Sequence, residues 1–324
     1  MVVGLFVFLY WAKENATEYH IRLLNNCAIF ITLAVSYNLI NGISLGSLYG
    51  LVAIGYTMVY GILRLINFAH GDVLMMGCYF AFYAILIFSL HWWASFLIAI
   101  FLTALLGITI DRGAYLPVRK APRISALITA IGVSFLLEHL GLVIFGGRPK
   151  AFHRPELFGG ILEWGEVRLL TLSLWIPVVT FLLILFLLYV VYRTRTGRAM
   201  RAISRDMETV RLMGVDVNQI TSITFALGSA LAAAGGIMWA LKFPQIDPYM
   251  GIIPGIKAFV AAVLGGIGNV AGAAIGGLLL GVIEILLIGL MPSLAGYKDA
   301  FSFLILIGIL LFRPTGIMGE KLPD

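Results

Sequence analysis

Apolar residues run along this chain in long blocks, broken by short charged stretches and without the alternation of a strand. Read as helices, the blocks fall over 27–40, 43–62, 72–90, 92–111, 124–145, 170–192, 219–242, 256–268, 270–291 and 298–313. A helix needs ~20 apolar residues to cross a bilayer core, and only helices or closed barrels satisfy their backbone there. Most of the blocks approach that length. The first closes early on Asn38 and Asn41, and 256–268 is short and rich in glycine. Short segments of this kind are expected as half-helices or re-entrant stretches, covered by protein or by a water-filled cavity. The pattern therefore predicts an all-α integral membrane bundle of about ten transmembrane or re-entrant helices.

The charges between the blocks set the orientation. Arg112, Arg119, Lys120 and Arg123 mark one loop as cytoplasmic, and Arg193, Arg195, Arg198, Arg201, Arg205 and Arg211 mark a second. Counting crossings outward from these loops brings Lys13, Arg22 and Arg64 to the same side, with Arg313 and Lys321. Both termini are expected in the cytoplasm. The loop over 146–169 then lies outside. Its mixed charges, Pro149 and Pro155 point to an ordered external element. This reading divides the chain into an N-terminal extension over 1–26, one transmembrane domain over 27–319 with a cytoplasmic loop over 193–218, and a tail over 320–324.

Composition agrees. Apolar residues make up 61% of the 324 and charged residues only 12%, about half the share in a soluble domain. The net charge of +6 sits in short loops, as membrane orientation requires, and not in a nucleic-acid-binding patch. Cys27 and Cys78 imply no disulfide framework and are expected as small buried side chains. Residues 2–11 are not expected to act as a cleavable leader, since no basic cluster precedes them and no A-x-A site follows.

Small residues recur at four-residue spacing, with Gly268, Gly272 and Gly276 beside Gly277 and Gly281, and with Gly228, Ala232 and Gly236. Such faces allow close helix approach in lipid. "AVSYNLINGI" over 34–43 and "AIGYTMVYGI" over 53–62 echo one another, compatible with a local duplication or with chance.

Catalytic signatures do not appear. The chain holds no G-x-x-x-x-G-K-[ST] phosphate loop, no H-E-x-x-H, no paired-cysteine metal spacing and no nucleophile elbow. No cofactor or metal is expected. Ionisable residues within apolar blocks are functional candidates by default, and they single out Glu284, Glu138 with His139, Lys242 and Lys257. Between the second and third blocks, "RLINFAHGDVLMMG" reads as a rigid polar turn at the cytoplasmic end. Arg64 is its inside charge, Gly71 permits the turn, and Asp72 caps the next helix or complements its dipole. Asn67 and His70 are left over, and they are assigned to the inner mouth of a passage. The candidate pathway set is Asn67, His70, Asp72, Glu138 and Glu284.

"TGRAMRAISRDMETVRLMGVDVNQI" has the composition of a short amphipathic helix at the inner surface. Ala202, Met207, Val210 and Leu212 form its apolar side, and Gly214 closes it. Taken with "YTMVYGILRLINFAHGDVLMMGCY", "AAVLGGIGNVAGAAIGGLLLGVIE" and the closing "RPTGIMG", this stretch resembles the permease subunits of branched-chain amino acid ABC importers, of the H-type. The resemblance covers roughly 41–319 in order. "LAVSYNLINGISLG" is instead similar to the start of the partner M-type permease. The resemblance implies a non-catalytic subunit in a multi-pass inner membrane location. It implies a second M-type permease, two cytoplasmic ATPases that bind the ATP, an external substrate-binding protein, and a cargo of branched-chain or neutral amino acids. It also implies an ATPase-coupling element, here Arg198, Arg201, Arg205, Asp206, Glu208 and Gly214. Arg205 stands where many relatives carry an acid. A urea or short-amide permease of the same architecture is the nearer alternative, and an ATP-independent secondary transporter the more distant one.

Overall fold

The computed structural model describes residues 18–119, 121–164 and 167–319; Lys13, Lys120, Glu166, Lys321 and the tail over 320–324 lie outside them. Among the described residues, eight helices are long and apolar enough to cross a membrane. They are α1 (Glu18–Leu63), α2 (His70–Phe88), α3 (Trp92–Ile110, continued to Val118), α4 (Arg123–Phe145), α5 (Leu172–Arg193), α8 (Val217–Lys242), α10 (Val270–Leu290), and α11 (Lys298–Phe312) with the 3-10 turn before it. Between them lie the short helices α6 (Arg195–Arg205), α7 (Met207–Leu212) and α9 (Ile252–Gly265).

Two expected segments are one. The blocks over 27–40 and 43–62 join in α1, a helix of 46 residues and so roughly 69 Å long. Asn41 and Gly42 do not break it, because Gly42 packs its bare face on Val282 and Asn41 bonds within the helix to the Tyr37 carbonyl. This corrects the expected orientation, since Arg22 and Arg64 now stand at opposite ends of one helix. The terminus itself lies outside the described residues. Cys27 is exposed on the first half of α1, not buried as expected, whereas Cys78 is buried. The segment expected over 256–268 is α9, a helix of 14 residues that is too short to cross.

Bare glycine faces set the packing. A Cβ on Gly277 would overlap the backbone of Gly50, and one on Gly281 the backbone of Gly46. Helix α10 therefore lies antiparallel against the second half of α1. Gly276 meets Ala261 and Gly265 of α9, and Gly228 meets Gly55. These contacts bear out the small-residue stripes. Gly268 is the exception: it sits in the turn before α10 at φ +99 with nothing close by. Gly281→Val is expected to push α10 off α1 and to destabilise by about 1–3 kcal/mol or more. A lowered unfolding midpoint in detergent checks this.

One face of the bundle gathers the ends carrying Arg64, Arg119 and Arg193, together with the residues after α11, where Ile317 and Met318 N–H groups donate to Leu264 and Gly265 carbonyls. The opposite face carries a small β element unread in the sequence. β1 (Lys150–Ala151) pairs with β4 (Gln245–Ile246), and β2 (Ile161–Trp164) forms a hairpin with β3 (Val167–Leu170). Arg154 ties this element to the end of α8 through the Leu241 and Lys242 carbonyls at 2.6 and 2.9 Å. Phe152 and Phe158 are buried beneath it. The expected order of this loop is present.

Candidate translocation site

The stretch over 64–69 is not a turn at the end of the bundle. Helix α1 stops at Leu63, and Arg64 leaves it in the left-handed conformation at φ 53. The chain then folds back into the protein, and α2 begins at His70. His70 packs into the space left by Gly55, beside the Gly228 carbonyl. Gly228 lies roughly 16 Å along α8, whose 26 residues span ~39 Å. The start of α2 is therefore near mid-depth, and the expectation of a turn at the cytoplasmic end is corrected. The reason is steric: glycines at 55, 71, 251 and 255 let three backbones meet there. Gly71 is helical and serves this approach, since a Cβ on it would overlap the Gly251 carbonyl. It makes no turn.

Asn67 is buried, and its Oδ1 accepts from the Tyr115 hydroxyl at 2.8 Å. Tyr115 is placed by a π-helical turn at Asp111–Tyr115 within α3. Tyr115→Phe should leave Asn67 short of a partner and cost about 1–3 kcal/mol, read as a lowered unfolding midpoint. Beside it, Asp111 accepts from Arg119 at 2.6 Å and from Ser222 at 2.7 Å, while Arg119 also reaches Asn218 at 2.8 Å. This network fastens the end of α3 to the start of α8. The sequence reading missed it, although an aspartate closing an apolar block was a visible signal.

His70 is buried, with its ring 4.6 Å from that of Tyr56 and no partner for Nε2 among the described residues. Asp72 does not cap α2. No side chain caps that helix, and Asp72 Oδ2 instead accepts from Ser134 of α4 at 2.5 Å. As an acid in the first turn, it does complement the helix dipole. Glu138, one turn beyond Ser134, is buried on the same face, whereas His139 is exposed. The re-entrant stretch thus brings Asn67, His70, Asp72 and Glu138 into one region.

Glu284 belongs elsewhere. Its Oε1 accepts from Lys257 of α9 at 2.7 Å and its Oε2 from the Tyr49 hydroxyl at 3.1 Å. Lys257 also pairs with Asp299 at 2.6 Å. The charges of three helices meet there, and each oxygen of Glu284 is satisfied. Lys242 donates to Ser44 at 2.7 Å.

The basic face carries α6 and α7, two short helices where one was expected. Thr194 caps the first by accepting from Gly197 N–H at 3.0 Å. Asp206 breaks the run in extended conformation and caps the second through Glu208 and Thr209 N–H, both at 3.0 Å. The Thr209 hydroxyl, then these N–H groups, hold the Asp206 carboxyl below its ordinary range. A depressed carboxyl contributes its stability above the unfolded value and loses it as pH falls through the folded one, so the cap is intact at neutral pH. Gly214 closes α7 at φ +81, as expected.

The apolar side differs from the expected set. Met200, Ile203 and Val210 are buried, whereas Ala202 and Leu212 are exposed. Leu212 and Met213 are 89% and 78% exposed at the tip. Arg198, Arg205, Glu208 and Arg211 are also exposed, while Arg201 stacks over Tyr192 at 4.8 Å. Arg64 Nη2 reaches the Ser204 carbonyl at 3.4 Å, joining α6 to the re-entrant stretch. A cleft of about 80 Å³ lies behind α6, lined by Thr57, Gly61, Met200, Arg201, Ser204 and Thr224 among others.

A polytopic helical bundle with a half-helix, a re-entrant polar stretch at mid-depth and an exposed basic element on one face defines an all-α multi-pass membrane protein. Residues 38–310 match the family described as branched-chain amino acid transport system / permease component. The chain is 43% identical over 295 residues to the high-affinity branched-chain amino acid transport system permease protein BraD of Pseudomonas aeruginosa, covering 87% of this chain and 95% of that protein. It is 42% identical over 293 residues to the corresponding protein LivH of Escherichia coli, covering 86% and 94%. More distantly, it is 28% identical over 205 residues to the autoinducer 2 import system permease protein LsrC of Yersinia pestis, covering 59% and 54%. The chain belongs to the branched-chain amino acid transport permease family and is a multi-pass membrane protein.

Proposed function

We propose that this chain is the H-type permease subunit of an ATP-driven importer of branched-chain or other neutral amino acids. It forms the passage together with a second, M-type permease. Two separate cytoplasmic ATPases drive it, and an external binding protein delivers the cargo. The observation that carries this reading is the capped α6–α7 element. It exposes Arg198, Arg205, Asp206 and Glu208 as well as Leu212 and Met213, and Gly214 ends it. Such a surface suits a partner at the basic face, and its Arg64–Ser204 contact leads to the polar stretch at mid-depth. Arg201 holds the element to Tyr192.

In the proposed cycle, ATP binding closes the ATPase pair, α6–α7 moves with it, and the motion reaches the segment carrying Asn67, His70 and Asp72. Access to the passage then alternates between the two faces. Glu138 lies along the passage. Glu284, saturated by Lys257 and Tyr49, anchors α9 and does not meet the cargo. The chain itself handles no nucleotide and needs no cofactor of its own.

The test is co-purification. Tagged chain extracted in mild detergent is expected to bring down a second permease and two ATPase chains. Recovery of the tagged chain alone, with uptake intact, would identify a self-sufficient transporter instead.

A further inference from the structure

The cleft of about 80 Å³ behind α6 is walled by residues of α1, α5, α6, α8 and the start of α10. Its volume is several times the ~10–15 Å³ that one water requires, so it admits a molecule of several heavy atoms. Thr57, 1% exposed, lies on the wall away from solvent, roughly 9 Å before α1 stops at Leu63. Gly61, Arg201 and Gly268 lie toward the open side.

Two polar groups of this wall are left without hydrogen bonds. Thr57 Oγ1 is buried and has no partner among the described residues. Tyr192 takes one face of the half-buried Arg201 guanidinium, but no described acid or carbonyl accepts from its N–H edges. Arg64 reaches the same turn of α6 through the Ser204 carbonyl at 3.4 Å and brings a second positive charge. No aspartate or glutamate among the described residues lines the space. Val270 on its wall is the first residue of α10, whose N-terminal dipole also favours negative charge. An unmet hydroxyl and an unmet guanidinium around such a space call for an anion that accepts hydrogen bonds, and the planar fork of Arg201 suits a carboxylate. Ser204 and Thr224 donate their hydroxyls to the Arg201 and Ile220 carbonyls, which leaves oxygen lone pairs for an ammonium. The remaining wall is aliphatic, formed by Met58, Ile62, Val191 and Met200, all buried. Carboxylate, ammonium and a short aliphatic chain together describe a neutral amino acid.

We propose that this cleft is a regulatory site, open to the basic face, for a free amino acid with a branched aliphatic chain, and that its occupant slows further uptake. The cleft joins α6 to α1 and to the start of α10. A molecule held there ties the α6–α7 element to the bundle against which it must move. Because such a ligand binds the arrangement in which the cleft is open, it shifts the population toward that arrangement and away from the moving one. The inference rests on the reading of the chain as an amino acid permease and adds feedback by the product that accumulates on the basic face.

The complete importer is reconstituted in proteoliposomes with ATP sealed inside, so that only importers with inward ATPases work. Initial uptake of labelled leucine is measured with and without unlabelled leucine sealed beside the ATP. Sealed leucine is expected to slow wild-type uptake at least about fivefold. Sealed 4-methylpentanoate should slow it as well, because it keeps the carboxylate and the chain, whereas 3-methylbutylamine should not. Thr57→Val removes the unmet hydroxyl and keeps the branched shape, so it should fold as well as the parent. Its uptake without sealed ligand should lie within about twofold of wild type, and sealed leucine should slow it less than about twofold. Thr57→Ser should keep the inhibition. Wild-type uptake that sealed leucine does not slow overturns the site. Equal inhibition of Thr57→Val and wild type also overturns it, since the sealed leucine would then compete within the passage. So does inhibition by the amine equal to that by the carboxylate, and that arm needs no variant to fold. Failure of the wild-type importer to take up leucine with ATP alone inside would instead defeat the underlying transport reading.

Discussion

Lys257→Met is expected to destabilise the folded chain by about 3–5 kcal/mol, the usual cost of stranding one member of a buried ion pair. The lysine and Glu284 side chains are each 3% exposed, and the 2.7 Å contact between them is the main compensation for burying both. Without the ammonium, Glu284 keeps only the Tyr49 hydroxyl at 3.1 Å. Asp299 is better placed to adapt, because its side chain is 40% exposed. The pair also fixes position: α9 does not cross the membrane, and Lys257 fastens it to α10 and α11. Removing both charges with Lys257→Met and Glu284→Met should return stability to within about 1–2 kcal/mol of the parent, since well-packed apolar side chains replace buried pairs at little cost. Unfolding midpoints in detergent for both single variants and the double variant decide the matter. A Lys257→Met midpoint equal to the parent would show that the pair is not buried as described.

Reversing charge on the α6–α7 element should have the larger functional effect. Arg198→Glu with Arg205→Glu places two acids among exposed groups that include Asp206 and Glu208. ATP-driven uptake is expected to fall by about a hundredfold or more, because like charges brought together at an interface cost several kcal/mol. Neither arginine supports the fold: both are exposed, and the element is held by Met200, Ile203, Val210 and the Arg201–Tyr192 stack. The double variant should therefore reach the membrane and purify at the parent's unfolding midpoint, but without its ATPases. Full uptake with the ATPases still attached would remove α6–α7 from the coupling role.

The sequence made the solvent legible before any detail. Long apolar blocks without alternation require helices in lipid, and glycine at four-residue spacing marks the faces where α1, α8, α9 and α10 touch. Ionisable residues inside apolar blocks drew attention to Glu284, Lys257 and Glu138, all of which are buried. Partners were not readable, because Lys257 meets Glu284 and Asp299 through helix packing, and Ser134 meets Asp72 across 62 positions. The count of segments failed at Asn41–Gly42, where punctuation in the sequence is absorbed by one continuous helix. The depth of "RLINFAHGD" was misjudged for the opposite reason. A charged arginine beside an apolar block looks like a membrane boundary, yet only Arg64 stands at the edge. The residues after it fold inward into space that Gly55, Gly71 and Gly251 leave open. Such an inward course depends on glycines from three separate segments, and no local pattern announces it.

The central claim is that this chain forms an ATP-driven passage for neutral amino acids. It is tested most directly by uptake of labelled leucine and labelled urea into proteoliposomes that contain the chain, its partner permease and both ATPases. The account predicts that leucine accumulates only when ATP and the binding protein are both supplied, and that urea does not accumulate. Leucine accumulation by the chain alone under an ion gradient, or urea accumulation in place of leucine, would contradict it.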